Sequence, residues 1–187
     1  MANKLSVAFP LFRGEGVYKE TLLDVIKYID ATTPTETALK NYLLREYGGK
    51  SDYFVERGIG FLGSLRFIER NEENNFQIGP AAKRYLQARA NSGTESDNKE
   101  LEGGEMGADD ILFNIFIHRV ENFYETLDTI NDGATTPNEL IEEMDYSETN
   151  IRQRINWLKT MGAIEGKPSD IEITNQGKDF LELYSPQ

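Results

Sequence analysis

Between Asn150 and Asn156 the chain carries Asn150, Arg152, Gln153, Arg154 and Asn156 among the apolar residues Ile151 and Ile155. Asparagine and glutamine amides pair bidentately with adenine edges, and arginine with guanine. Asn150, Gln153 and Arg154 therefore have the side-chain chemistry of base recognition if one helix presents them to a groove. A second set, Lys50, Tyr53, Arg57 and Arg66, lies in the first half of the chain. Lys and Arg in such a set suit phosphate oxygens, and Tyr53 suits stacking, a phosphate contact or, equally, a place in the core. Arg70, Lys83, Arg84, Arg152 and Lys167 complete the expected phosphate contacts. A solvated polar helix face would look the same, so the elements that place these residues decide between the readings.

Catalytic inventories come out empty. The chain has no cysteine and one histidine, which excludes thiol chemistry, disulfides and a zinc site. It has no glycine-rich phosphate loop and no nucleophile beside a base. Glu165-Gly166-Lys167 matches an acid-x-Lys fragment of metal-dependent nucleases, but Asp145, twenty residues upstream, falls in a turn between helices. His118 sits within an apolar helix and reads as a packing residue. The expectation is a protein that is not an enzyme and holds no cofactor or metal.

Helical periodicity and caps supply the positioning elements. Val17 to Asp30 is amphipathic, with Leu22, Val25, Ile26 and Ile29 on one face. Thr33, Pro34 and Glu36 predict the cap, first turn and capping box of a second helix to about Tyr47. Ser51 or Asp52 opens a third through Leu65, weakened at Gly58 and Gly60 by about 1 kcal/mol each. Two short strands around a polar turn, Asn71 to Asn75, then precede a helix Ala81 to Ala90. Asp109 to Asp132 reads as one long helix. Its apolar circumference around Ile111, Leu112, Ile115 and Phe116 predicts an interaction surface. Thr136-Pro137-Asn138-Glu139 again predicts a capping box, for Pro137 to Met144. The turn Asp145-Tyr146-Ser147 has helix-turn-helix spacing and leads into Ser147 to Met161.

These elements form a sentence written twice. Leu62, Leu65, Ile68, Phe76 and Ile78 align with Leu158, Met161, Ile164, Ile171 and Ile173. Lys83, Tyr85 and Leu86 align with Lys178, Phe180 and Leu181, and Phe61 with Trp157, both expected to pack inward. A third helix that ends in a β-hairpin, twice over, resembles the tandem winged helix-turn-helix proteins. Gly58 to Ile68 is also similar to winged-helix recognition modules of restriction enzymes. The expected fold is mainly α with small β-hairpin wings. Its boundaries are an N-terminal arm at 1–16, a first domain at 17–90, a mobile linker at 91–107 and a second domain at 108–187.

The resemblance implies double-stranded DNA binding, as a transcription regulator or the recognition component of a defence system. The competing expectation is a protein-protein interaction scaffold, or a homodimer joined through the long helix. Net charge of −12 favours the scaffold. The local basic bias favours DNA, with seven basic against five acidic side chains over 50–89 and five against four over 147–178. Glycine at 58, 60 and 63 replaces Arg154, Asn156 and Lys159, so the second copy is the expected base reader. No apolar run is long enough to span a bilayer and no signal peptide opens the chain, so the expected location is the cytoplasm.

Overall fold

Thirteen elements follow one another in the computed structural model, which describes residues 4–12, 16–48, 51–92 and 106–185. They are α1 (Tyr18–Thr32), α2 (Glu36–Glu46), α3 (Asp52–Ser64), β1 (Ile68–Arg70), β2 (Phe76–Ile78) and α4 (Pro80–Ser92). Then come α5 (Ala108–Arg119), α6 (Phe123–Asn131), α7 (Pro137–Met144), α8 (Glu148–Thr160), β3 (Ile164–Lys167), β4 (Asp170–Ile173) and α9 (Asn175–Tyr184). The fold is mainly helical with two antiparallel hairpins, β1–β2 and β3–β4. Contacts divide it into a first unit, the described residues from Phe9 to Ala108, and a second, those up to Ala8 with those from Asp109 onward. Most of the expected linker, 93–105, lies outside the described residues, as do 1–3 and 13–15 of the expected arm.

In the first unit, α1 buries Leu22, Val25, Ile26 and Ile29 at the expected spacing. Thr33 does not cap the next helix. It ends α1 in the left-handed conformation, φ 44°, with its N–H on the Ile29 carbonyl. Helix α2 starts two residues later under Thr35, whose hydroxyl accepts from the Ala38 amide at 3.2 Å. The reason lies in Glu36, which pairs with Lys40 and Arg70 and so is not available for a capping box. Ser51 caps α3 through the Phe54 amide at 3.2 Å. The helix runs unbroken past Gly58 and Gly60 because Val55, Ile59 and Leu62 bury one face. Gly58 is required: a β-carbon there would stand 2.4 Å from the Phe12 ring, which stacks on Tyr47.

In the second unit, the expected long helix is two. Asn122 adopts φ 49° between α5 and α6. Leu5 lies beside the break as a parallel bridge to Val120, donating to the Arg119 carbonyl at 2.7 Å and accepting from the Glu121 amide at 2.9 Å. Backbone groups freed by the break thus find partners on the N-terminal strand. Helix α7 begins with the expected capping box, Thr136 and Glu139 reciprocally bonded and Pro137 in the first turn. Phe113 stacks on Phe180 at 4.5 Å, and Phe116 packs on Phe123 and Trp157 at 4.9 and 4.6 Å. Burial of each such ring contributes roughly 1.5–3 kcal/mol.

The repetition reaches individual hydrogen bonds. Helices α3 and α8 have thirteen residues each and are both serine-capped. Each ends in the same turn: Arg66 N–H on Gly63 and Phe67 N–H on Leu62 in one, Gly162 on Lys159 and Ala163 on Leu158 in the other. Arg66 and Gly162 share the left-handed conformation, φ 63° and 70°. Each hairpin's second strand bonds the residue run before the second helix, Phe76 N–H to Pro34 and Ile171 N–H to Thr135, both 2.8 Å.

Tyr184 gives a pH test of the second unit. Its hydroxyl donates to the Asp110 carbonyl at 3.4 Å, and burial pushes its pKa up to about 12. An unfolded tyrosine titrates near 10. The folded pKa is the higher, so this contribution is whole below about pH 10 and is lost as pH rises through the folded value. The urea midpoint is expected to fall above about pH 10, and less in Tyr184→Phe. Equal falls in both proteins would refute the assignment.

Candidate nucleic-acid interface

The expected base-reading set on α8 does not face outward together. Arg154 is fully buried. Its guanidinium donates to the Asn150 side-chain oxygen, to the Ser6 carbonyl at 3.1 Å and to the Glu121 carbonyl at 2.8 Å, and lies 4.3 Å from the Tyr146 ring centre. Asn150 also donates to Ser6 at 2.9 Å. Both side chains are consumed in seating the N-terminal segment, which corrects their expected role. Burial lowers the Arg154 pKa, with the Tyr146 and Glu121 sides opposing the shift. Gln153 is half-buried. Arg152 is exposed but pairs with Glu148 one turn back at 2.6 Å, which dilutes its charge. Lys167 is exposed at the end of β3, opposite Asp170.

The surroundings of α8 are acidic. Glu142, Glu143, Asp145 and Glu148 are exposed on α7, the following turn and the start of α8. Residues 4–8 and 106–187 together carry seven basic against sixteen acidic side chains, whereas 9–92 carry twelve against eleven. The net charge of the second unit is thus strongly negative and that of the first close to zero.

Four cations of the first unit stand clear of carboxylates. Arg57, Arg66, Lys83 and Arg84 are exposed, and none has a carboxylate partner among the described residues. Arg57 donates to the Tyr53 hydroxyl at 3.2 Å, and Tyr53 is 67% exposed, not core. Arg70 is committed elsewhere. It binds the Asn74 carbonyl at 2.8 Å, pairs with Glu36 and covers the Phe76 ring at 4.3 Å, so it holds the hairpin onto α2. Lys50 lies outside the described residues. Sequence reading missed the chain Arg70–Glu36–Lys40–Glu56, in which Lys40 reaches Glu56 at 2.8 Å. Lys40 and then Arg70 hold the Glu36 carboxyl below its usual range, while Glu56 and then Glu36 hold Lys40 above its own. The i,i+4 spacing of Glu36 and Lys40 was the available signal.

Helix α5 does not present the expected interaction surface as a whole. Leu112 and Phe116 are fully buried, and only Ile111 and Ile115 are half-exposed. His118 is exposed, with its Nδ1 3.0 Å from the carbonyl of Asn114 in its own helix, so it is not a packing residue. Trp157 and Phe61 are buried as expected. Among the described residues no three acidic or histidine side chains gather as a metal site, and no helix is long and apolar enough to cross a membrane.

The two third helices share one further relation. Gly58 and Arg154 are equivalent positions, as are Phe54 and Asn150. In the first unit Phe9 lies 5.0 Å from Phe54, and Phe12 covers Gly58. In the second, Ser6 covers Asn150 and Arg154. The N-terminal segment thus closes the corresponding face of both helices. The chain matches no family model, no curated protein and no solved structure.

Proposed function

We propose that the chain binds double-stranded DNA through its first unit, used as a winged helix-turn-helix, in a transcription regulator or in the recognition component of a defence system. Arg66 carries this reading. It occupies a left-handed position that its counterpart, Gly162, fills without strain. A side chain there costs about 1 kcal/mol or more. The side chain is exposed and has no carboxylate partner among the described residues. A strained, solvated cation at the base of a hairpin is accounted for by an anionic partner. Arg57, Lys83 and Arg84 extend the cationic set.

The test separates structure from binding. Arg66→Gly is expected to raise the stability of the first unit by about 1 kcal/mol. The same change is expected to weaken duplex binding and to reduce the slope of log affinity against log salt by about one. Unchanged duplex affinity at every salt concentration would overturn the role of Arg66. Absence of any duplex binding at low salt would overturn the reading itself.

A different role suits the second unit. Its sixteen acidic side chains and the closed face of α8 favour a protein contact over a nucleic-acid one, and the scaffold reading is retained for that unit alone.

A further inference from the structure

We infer that the DNA taken by the first unit carries an unpaired base, stacked on Tyr53. This rests on the DNA reading above and names the substrate class of the same site. Tyr53 stands in the first turn of α3 with 67% of its surface exposed, although a phenol ring ordinarily gains by burial. Its hydroxyl is already bonded to Arg57, so what it offers to solvent is the ring. The Arg57 guanidinium carbon lies 5.8 Å from the Tyr53 ring centre and 5.7 Å from that of Phe9. Cation and rings are thereby held in one cluster beside the solvent.

Further along α3, Gly60 and Gly63 are exposed, and a β-carbon on either would meet nothing within 4 Å. Packing does not require them, and each weakens the helix. What they provide is bare helix surface that a backbone can approach closely. An exposed aromatic ring, a cation beside it, a side-chain-free stretch and then Arg66 suit a nucleic-acid strand with a base turned out of its stack. Base stacking on an aromatic ring is tolerant of sequence and is worth about 1–3 kcal/mol. Asp52 beside Tyr53 opposes the strand's charge, and Glu56 is held by Lys40.

The experiment uses the full chain and three labelled probes in fluorescence anisotropy at fixed low salt: a blunt duplex, the same duplex with a short unpaired extension, and the single strand. The tailed duplex is expected to bind about tenfold more tightly than the blunt one. Tyr53→Ala should abolish that advantage, weakening the tailed duplex about tenfold more than the blunt one, and Tyr53→Phe should keep it. Circular dichroism checks that the variants fold. Equal affinity of wild type for blunt and tailed duplexes sinks the inference and leaves the duplex reading standing. Equal weakening of both probes by Tyr53→Ala sinks it as well. Binding of the single strand without the duplex supports stacking and overturns the duplex reading, and no binding to any probe overturns both. A dimer in sedimentation that Tyr53→Ala dissolves would place a second copy on the ring and refute the inference.

Discussion

Arg154→Ala is expected to destabilise the second unit by about 3–5 kcal/mol, the combined cost of acceptors that lose their donor and of the cavity left by a fully buried side chain. The guanidinium joins Asn150, the Ser6 carbonyl and the Glu121 carbonyl beneath the Tyr146 ring. Removing it takes the guanidinium donor from the Asn150 and Glu121 oxygens, at about 1–3 kcal/mol each before relaxation, while the Ser6 carbonyl keeps the Asn150 amide, and it opens a cavity. Against a typical domain stability of about 5–15 kcal/mol, this is a large fraction. Trp157 makes the measurement selective, because it is the chain's one tryptophan and packs on Phe116 in the second unit. Its fluorescence in urea should report an early transition in the variant. Deleting residues 1–8 should shift the same transition, and the two changes combined should cost less than their sum, since both remove the Ser6 contact. A shift below about 1 kcal/mol for Arg154→Ala would show the network to be dispensable.

Gly79→Ala is expected to cost the first unit about 3 kcal/mol, at the upper end of overpacking. An added β-carbon would stand 2.2 Å from the Arg66 carbonyl oxygen. The obstacle is backbone, and it is pinned from both sides. Gly79 N–H is tied to Phe67 at 2.8 Å, and the Ala81 N–H to Arg66 itself at 3.1 Å. The turn cannot open without losing the bonds that seat the hairpin on α4. Gly60→Ala and Gly63→Ala reverse the sign. Both point into open space, so each should stabilise α3 by up to about 1 kcal/mol. Thermal melts followed at 222 nm distinguish the two outcomes. A neutral Gly79→Ala would mean that the turn relaxes freely.

What was legible in the sequence was what four or five adjacent residues decide. The capping box of α7 depends on Thr136, Pro137 and Glu139, and both hairpins follow from short apolar alternations around polar turns. The mainly helical fold with two small hairpins came from those local signals. Thr33 shows their limit, because Glu36 answers to Arg70, thirty-four residues away, and the same Thr-Thr-Pro phrase is used differently in each unit. The break between α5 and α6 had no glycine or proline to announce it. The partner that takes up its freed backbone groups, Leu5, lies more than a hundred residues upstream. Arg154 was read as exposed because arginine usually is. Its place three residues after Ile151 and four before Leu158 put it on the core stripe, and that spacing was the signal passed over. The exposed cations Arg57, Arg66, Lys83 and Arg84 were named from sequence, but nothing local distinguished them from Arg70, which the fold spends on itself.

The front of the chain decides how the chain comes apart. Residues 4–8 are built into a unit whose remaining sequence begins at Asp109. A single backbone cleavage between residues 92 and 106 therefore does not make two finished proteins. The upstream fragment leaves with a peptide that the downstream fragment needs to satisfy Arg154 and the open end of α5. The fragments become ligand and receptor for each other. The affinity between them would measure directly, in units of concentration, what the residues up to Ala8 contribute to a fold a hundred residues behind them.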